Sequence, residues 1–347
     1  YPRMGVYRKR IVCNFQTGHD SRSFGWIILT LTALGPISLL LATSVGSIPI
    51  DWGVVFETIR TGNPSLDHTI VFELRLPRSA SAFVVGASLA LAGVLMQALL
   101  RNPLADPYVL GTSGGAAVFA LTIMLLGFGH QFVSLAAAVG AVLSLAVVIF
   151  LSRDSGGWSS TRLLLTGIVM ASGWGALISF ILSISQDGQI QGMLFWLMGD
   201  FRNGGPGFAH CFVLLAILAF SLFSSRGFNL LVAGTLKAES LGVHTFRLRF
   251  AMLIGAGLLT AVAVTLAGAI GFVGLVVPHM MRLIVGSDHR RLIPASLMMG
   301  GSLLVIAEML ARTVLAPRQL PVGVITAFVG VPLFLYLLRR GSRQETV

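Results

Sequence analysis

Long apolar runs separated by short polar segments fill most of the chain. A helix that crosses the hydrocarbon core of a membrane needs about 20 consecutive, mostly apolar residues. By that criterion the sequence predicts ten spans, of which the third and the eighth are short and rich in glycine. The small residues of "GASLALAG" predict close contact between helices. The predicted spans are 24–46, 76–100, 111–127, 131–151, 162–184, 207–225, 249–270, 273–287, 291–314 and 321–338.

Composition agrees with a chain that lies in lipid. Of the 347 residues, 55% are hydrophobic and 11% are charged, and the mean hydropathy is +0.87. Soluble domains carry about 25% charged residues. We therefore predict an all-α, polytopic membrane protein with a single ten-span domain over residues 24–340. The first run is longer than a signal-peptide core and lacks a clear cleavage site, so we predict that it is a genuine span.

The distribution of basic residues predicts the orientation. With the N-terminus inside, 18 of the 24 Lys and Arg residues fall on the inner side, as the positive-inside rule requires. The tails, 1–23 and 341–347, are then cytoplasmic, and the longest inner loop is 226–249. The net charge of +11 thus reflects the basic residues of the inner loops and tails. We therefore expect membrane lipid, and no nucleic acid, as a partner. The six outer exceptions are Arg60, Arg75, Arg78, Arg202, Arg312 and Arg318.

Three of these outer arginines stand at the ends of predicted spans. Arg75 and Arg78 flank Pro77 in "LRLPRSASAF", and Arg312 closes the ninth span. On the residues alone, snorkelling towards lipid headgroups and contact with an acidic partner both stay open. Glu308, the one acidic residue inside the predicted spans, precedes Arg312 by four positions, which is the favourable order for an ion pair on a helix. We predict a structural pair there.

Several kinds of chemistry are missing from the sequence. A P-loop needs a Gly-Lys pair, and neither lysine, Lys9 or Lys237, follows a glycine. The two cysteines, Cys13 and Cys211, are far apart, and the histidines form no pair with metal-ligand spacing. We therefore expect no catalytic residue, no metal site and no cofactor bound by this chain.

Two short segments outside the spans carry helix signals. "GTLKAESLGVHT" in the long inner loop predicts one short helix, with Thr235 as N-cap and Gly242 just past the C-terminus. It would serve either as a helix that docks in a partner's groove or as a solvated connector. The piece 191–199 is too short to cross, and we predict a half-buried helix in an outer loop.

Six stretches in a fixed order together resemble one family. This sequence is similar, over about residues 25–340, to the ten-span permease subunits of bacterial ABC importers for iron–siderophore complexes, haem and cobalamin. The resemblance implies the type II importer architecture. The stretches are "RLPRSASAFVVGASLALAGVLMQALLRNPLADPYVLG", "STRLLLTG", "LFWLMGDF", "AESLGV", "GAIGFVGLVVPHMMRLIVGSDHRRLIP" and "LARTVLAPRQLPVGVITAFVG".

The resemblance implies an assembly and a location. Two copies of the permease would form a homodimer in the bacterial inner membrane. Two cytoplasmic ATPase subunits would use ATP and Mg below it, and one periplasmic substrate-binding protein would dock above it. The absence of a P-loop fits this arrangement, because ATP hydrolysis would belong to another chain.

The resemblance also implies roles for particular residues. The residues that match the family's binding-protein contacts are Arg75, Arg78 and Arg312. The residues that match its ATPase-coupling segment are Lys237, Ala238, Glu239, Ser240, Leu241 and Gly242. The residues at its cytoplasmic gate are Ser159, Ser160 and Thr161.

The substrate is the least constrained expectation. The spans offer apolar and small side chains with many Phe and Met, and we expect no buried basic cluster among them. That environment favours haem as the chelate, with a ferric siderophore next and cobalamin third. Two other classes stay open: an ATP-independent secondary carrier, for which only Glu308 is available as a buried ionisable group, and a membrane receptor or scaffold that transports nothing.

Overall fold

In the computed structural model the described residues are 21–46, 48–62, 65–154, 157–158, 160–201 and 204–342. Apolar helices dominate this part of the chain, and ten of them correspond to the ten predicted spans. They are α1 (Ser21–Ser44), α4 (Leu76–Leu100), α5 (Thr112–Leu125), α6 (His130–Leu151), α7 (Ser160–Ile184), α9 (Phe208–Phe223), α12 (Thr245–Ala267), α13 (Val273–Val285), α14 (His289–Thr313) and α15 (Val322–Ser342).

Short elements join these helices. The π-helical segment Ile70–Arg75 runs into α4, and Pro107–Leu110 forms a 3₁₀ turn before α5. Two strands, β1 (Arg153–Asp154) and β2 (Gly157–Trp158), pair antiparallel between α6 and α7. The short helices are α2 (Trp52–Thr61), α3 (Leu66–Thr69), α8 (Asp187–Leu197), α10 (Ser225–Ala233) and α11 (Thr235–Ser240).

The spans differ in length. Among the described residues, five helices are long and apolar enough to cross a membrane alone, and α9 with α10, bent by 61°, would make a sixth span. The predicted third and eighth spans, α5 and α13, are indeed short, with 14 and 13 residues. The predicted helix at 191–199 is present as α8.

Helix α4 lies at the centre of the bundle. In the continuous helix Leu66–Leu100, 94% of the apolar window is buried. Its two glycines, Gly86 and Gly93, make this possible. A Cβ atom on Gly86 would overlap the carbonyl oxygen of Gly300 in α14, and one on Gly93 would overlap that of Gly274 in α13. Close approach of this kind gives van der Waals contact between helices in lipid.

Three short helices, α2, α3 and α10, lie in segments that were predicted as loop. Helix α10 fills the start of the long inner loop, directly before α11. Helix α2 is bounded by Asp51, whose Oδ1 accepts from the N–H of Gly53 at 2.8 Å, and by Gly62 at φ +73°. Asp and Gly are strong cap signals, but the segment is too short to be found in a search for spans.

The boundary of α11 differs from the prediction by one residue. Thr235 is the first helical residue and Gly234, at φ +139°, is the N-cap, so the prediction of Thr235 as N-cap was wrong. The physical reason is the tight turn between α10 and α11, because this φ strains any residue that has a Cβ atom. Gly242 lies past the C-terminus at φ +81°, as predicted.

Candidate functional site

Three of the six predicted outer arginines, Arg75, Arg78 and Arg312, lie near Glu308 at one end of the bundle. We call this the outer end; it holds the N-terminus of α4 and the C-terminus of α14. Arg78 Nε lies 2.5 Å from Glu308 Oε1, and Arg312 Nε lies 3.5 Å from the same atom. Glu308 is fully buried. The predicted Glu308–Arg312 pair is confirmed, and Arg78 joins it from a helix 230 positions earlier in the chain.

Arg75 binds backbone instead of a carboxylate. Its side chain is 5% exposed and donates to the carbonyls of Thr43 at 3.0 Å, Ser44 at 3.1 Å and Ile48 at 2.5 Å. Arg312 Nη2 donates to the carbonyl of Ala42 at 2.6 Å. The last carbonyls of a helix have no partner within the helix. Arg75 and Arg312 therefore supply hydrogen-bond donors to the last carbonyls of α1 and to a carbonyl in the segment that follows it.

An open cavity of about 580 Å³ lies beside this cluster. Arg75, Arg78 and Arg312 line it together with Glu73 and Gln319, and Arg78 Nη1 donates to Gln319 Oε1 at 3.1 Å. The expectation that the spans bury no basic cluster is therefore wrong at this end. The arginines can be buried because carbonyls and a carboxylate bind their guanidinium groups, and such pairing offsets the cost of removing the charge from water.

The opposite end, the inner end, presents α11. The six predicted coupling residues, Lys237 to Gly242, lie together on this helix and at its C-terminus. Leu236 is 83% exposed and Leu241 is 59% exposed, whereas Ala238 is fully buried. The hydroxyl of Thr245 donates to Glu239 Oε1 at 2.6 Å, which ties α11 to α12. Helix α11 therefore packs against the bundle on the side of Ala238 and Glu239, and its two leucines stay exposed.

A polar contact joins α10 to the start of α14 at the same end. Asn229 Nδ2 donates to Asp288 Oδ1 at 2.7 Å, and Asn229 Oδ1 accepts from the backbone N–H of His289 at 3.0 Å. Burial disfavours the charged Asp288, but the Asn229 amide, the N–H of Arg290 and the charges of Arg290 and Arg291 outweigh it. The pKa of Asp288 therefore lies below its ordinary value.

The predicted gate residues are only partly described. Ser159 lies outside the described residues, Ser160 opens α7, and Thr161 is exposed. Among the residues that the structure describes, no group of three or more His, Cys, Asp or Glu side chains could hold a metal ion.

Comparison with known proteins decides the family. Residues 33–340 match the model of the FecCD transport family. The chain belongs to the FecCD transport family. The predicted resemblance to ABC importer permeases is confirmed by this match, and the apolar helices make the chain a membrane-embedded transport permease.

Individual relatives of this FecCD chain cover nearly all of it. It is 37% identical over 324 residues, 88% of this chain and 91% of the relative, to the uncharacterised ABC transporter permease YvrB of Bacillus subtilis (strain 168). It is 35% identical over 322 residues, 91% of this chain and 95% of the relative, to the vitamin B12 import system permease BtuC of Escherichia coli O157:H7 (strain EC4115 / EHEC).

Solved structures give the same architecture. A metal-chelate type ABC transporter in an inward-facing conformation superposes with a TM-score of 0.78 at 29% identity, covering 91% of this chain and 99% of the other. PsaBC from Streptococcus pneumoniae, in complex with a Fab, superposes with a TM-score of 0.53 at 15% identity, which shows the shared fold alone.

Proposed function

We propose that two copies of this FecCD chain form the translocation pathway of an ATP-driven importer that moves a metal chelate into the cytoplasm. The observation that carries the proposal is the surface of α7. Only 11% of the residues in its apolar window are buried, the smallest share among the five long spans of the described residues. A helix this exposed must face lipid, another chain or a water-filled pathway.

A line of small and hydroxyl side chains on that surface favours a pathway over lipid. Ser172, Ala176, Ser179 and Ser183 are exposed at positions that follow one line along the helix. Helix α7 also exposes large apolar side chains, such as Leu165, Val169 and Phe180. Helix α6 exposes apolar side chains but no hydroxyl, since Ser134 is half-buried and Ser144 is buried. Hydroxyl groups and small side chains suit the wall of a wet pathway better than they suit lipid. Thr161, a predicted gate residue, lies on the same line at the inner end, with the exposed Leu165 and Ile168 between it and Ser172.

The exposed surface continues from α7 through α8 to α15. The backbone N–H groups of Val322 and Gly323 donate to the carbonyls of Gly199 and Met198, each at 3.0 Å, so the end of α8 is bonded to the start of α15. An apolar groove of about 600 Å³ lies there, beside the 76% exposed ring of Phe328. This combined face supports a homodimer in which a second copy covers α15 and leaves the line of hydroxyls on α7 at the pathway.

The two ends of the bundle fit the two predicted partners. The exposed leucines of α11 suit a groove on a cytoplasmic ATPase subunit, which would bind ATP and Mg. The arginine-lined cavity at the outer end suits the carboxylates of a periplasmic binding protein, because the guanidinium fork matches carboxylate geometry. The N- and C-termini are then cytoplasmic, and this chain hydrolyses no ATP.

Haem remains our first candidate substrate. Residues 163–201 and 319–338, which hold most of α7, α8 and α15, contain no Lys or Arg; the arginines of these helices, Arg162, Arg339 and Arg340, lie near helix ends. A flat, largely apolar ring fits such walls better than a highly charged chelate does. Cobalamin is the second candidate, since relatives that cover nearly the whole chain are named for vitamin B12 import.

The test of the proposal is uptake of labelled haem, cobalamin and a ferric siderophore by proteoliposomes. The vesicles hold this chain with its ATPase subunit, and the binding protein and ATP are supplied on the appropriate sides. Haem uptake supports the first candidate, and uptake of cobalamin alone replaces it with the second. Failure of all three chelates in vesicles whose binding protein docks would contradict the proposed substrate class.

A further inference from the structure

The outer arginines are already occupied in this structure. Arg78 and Arg312 share the carboxylate of Glu308, and Arg75 and Arg312 bind carbonyls at the end of α1. The same three guanidinium groups line the open cavity. A carboxylate that enters this cavity from a partner therefore meets arginines that have an internal counterion.

We propose that Glu308 is an internal competitor for these arginines: its carboxylate offsets the positive charge of Arg78 and Arg312 and so lowers the affinity with which they bind a carboxylate of the binding protein. The inference rests on the proposed docking function and names the residue that tunes it. Glu308 acts through the arginines and is a positioning residue.

The burial of Glu308 makes this competition strong. The residue is fully buried and the Arg78 side chain is 15% exposed, so solvent screens their ion pair little. Arg78 also reaches Gln319 through Nη1, so one edge of its guanidinium faces Glu308 while another reaches the cavity side. An incoming carboxylate can therefore bind Arg78 without first breaking the pair, and its affinity is lowered by the negative charge behind it.

Whether Glu308→Gln strengthens or weakens docking of the binding protein distinguishes the proposed competition from a purely structural role of Glu308. In Glu308→Gln the side chain keeps its shape and loses its charge, so the arginines attract an anionic partner more strongly. We expect the binding protein to dock about tenfold more tightly to this variant of the reconstituted complex at low salt, and we expect the gain to shrink at high salt. A purely structural Glu308 predicts unchanged or weaker docking.

Glu73 provides the matched control. Its carboxylate lines the same cavity but is exposed, and Glu73→Gln also removes one negative charge. If Glu308 acts through its pairs with the arginines, Glu73→Gln changes the affinity by less than about threefold. Equal effects of the two substitutions would show that only net charge matters and would overturn the proposal.

A second comparison covers the case in which Glu308→Gln fails to fold. Arg312→Gln and the double variant Glu308→Gln with Arg312→Gln differ only at Glu308, and both keep Arg78. The double variant should dock the binding protein more tightly than Arg312→Gln does. Equal affinities would refute the competition. Absence of any docking to the unaltered complex would refute the proposed docking function itself.

Discussion

Arg101, the C-cap of α4, donates a hydrogen bond from Nη2 to the hydroxyl of Thr235, the first residue of α11. Helix α4 thereby connects both ends of the molecule. Its first turn carries Arg78 at the outer cavity, and its C-cap residue is bonded to the helix that is proposed to contact the ATPase. The 25-residue helix between them is about 38 Å long, enough to cross a membrane.

The exposed leucines of α11 should decide association with the ATPase. We expect Leu236→Asp to abolish co-purification of the ATPase subunit, because a charge replaces an apolar contact in the partner's groove. The chain itself should stay folded, since Leu236 is 83% exposed. Leu66→Asp, at a leucine that is 75% exposed on the outer side, is the control and should co-purify normally. Normal co-purification of both variants would remove α11 from the interface.

Arg75 should stabilise the fold through the end of α1. Arg75→Met leaves the carbonyls of Thr43, Ser44 and Ile48 without this donor. We expect the free energy of unfolding to fall by about 1 to 3 kcal/mol, seen as a lower midpoint of thermal unfolding in detergent. Arg60→Met, at an exposed arginine of α2, should leave the midpoint unchanged. An unchanged midpoint in Arg75→Met would mean that the capping contacts contribute nothing.

The contact between α4 and α14 should tolerate no added methyl group. Gly86→Ala places a Cβ atom against the carbonyl oxygen of Gly300 and forces the helices apart. We expect a loss of about 1 to 3 kcal/mol in the free energy of unfolding, the usual cost of overpacking. Gly173→Ala in α7 is the control, because a Cβ atom there meets nothing within 4 Å. Equal thermal midpoints for the two variants would contradict the close packing.

The proposed homodimer places α15 at the subunit boundary. In a chain without Cys13 and Cys211, a single cysteine at Phe328 should be joined to the second copy by a short bifunctional maleimide, doubling the apparent mass on a gel. A cysteine at Leu135 of α6, also exposed, should stay monomeric because we assign it to lipid. Cross-linking at Leu135 with none at Phe328 would place the second copy on α6.

Much of this architecture is readable from the sequence because each span is a local property. Run length and composition predicted all ten apolar helices, and the i,i+4 spacing of Glu308 and Arg312 predicted their pair. The cap signal of Gly242 was also local and was confirmed. Errors at this level were small, such as the start of α11, where the glycine before Thr235 takes the cap position.

The partners of the outer arginines could not be read in the same way. Arg78 reaches Glu308 only because α4 and α14 pack side by side, and Arg75 reaches the end of α1 only after the chain folds back. No spacing in the sequence encodes these contacts. The expectation of no buried basic cluster failed for this reason. The sequence contains the arginines, but it does not reveal which backbone carbonyls will accept their hydrogen bonds.

The central claim is that this chain transports a chelate only when an ATPase drives it. The most direct test is chelate uptake by proteoliposomes that contain the permease, its ATPase subunit and its binding protein, with ATP or with a non-hydrolysable analogue. We predict uptake with ATP and none with the analogue. Equal uptake in both, or in vesicles without the ATPase, would show a carrier that works without ATP and would contradict the account.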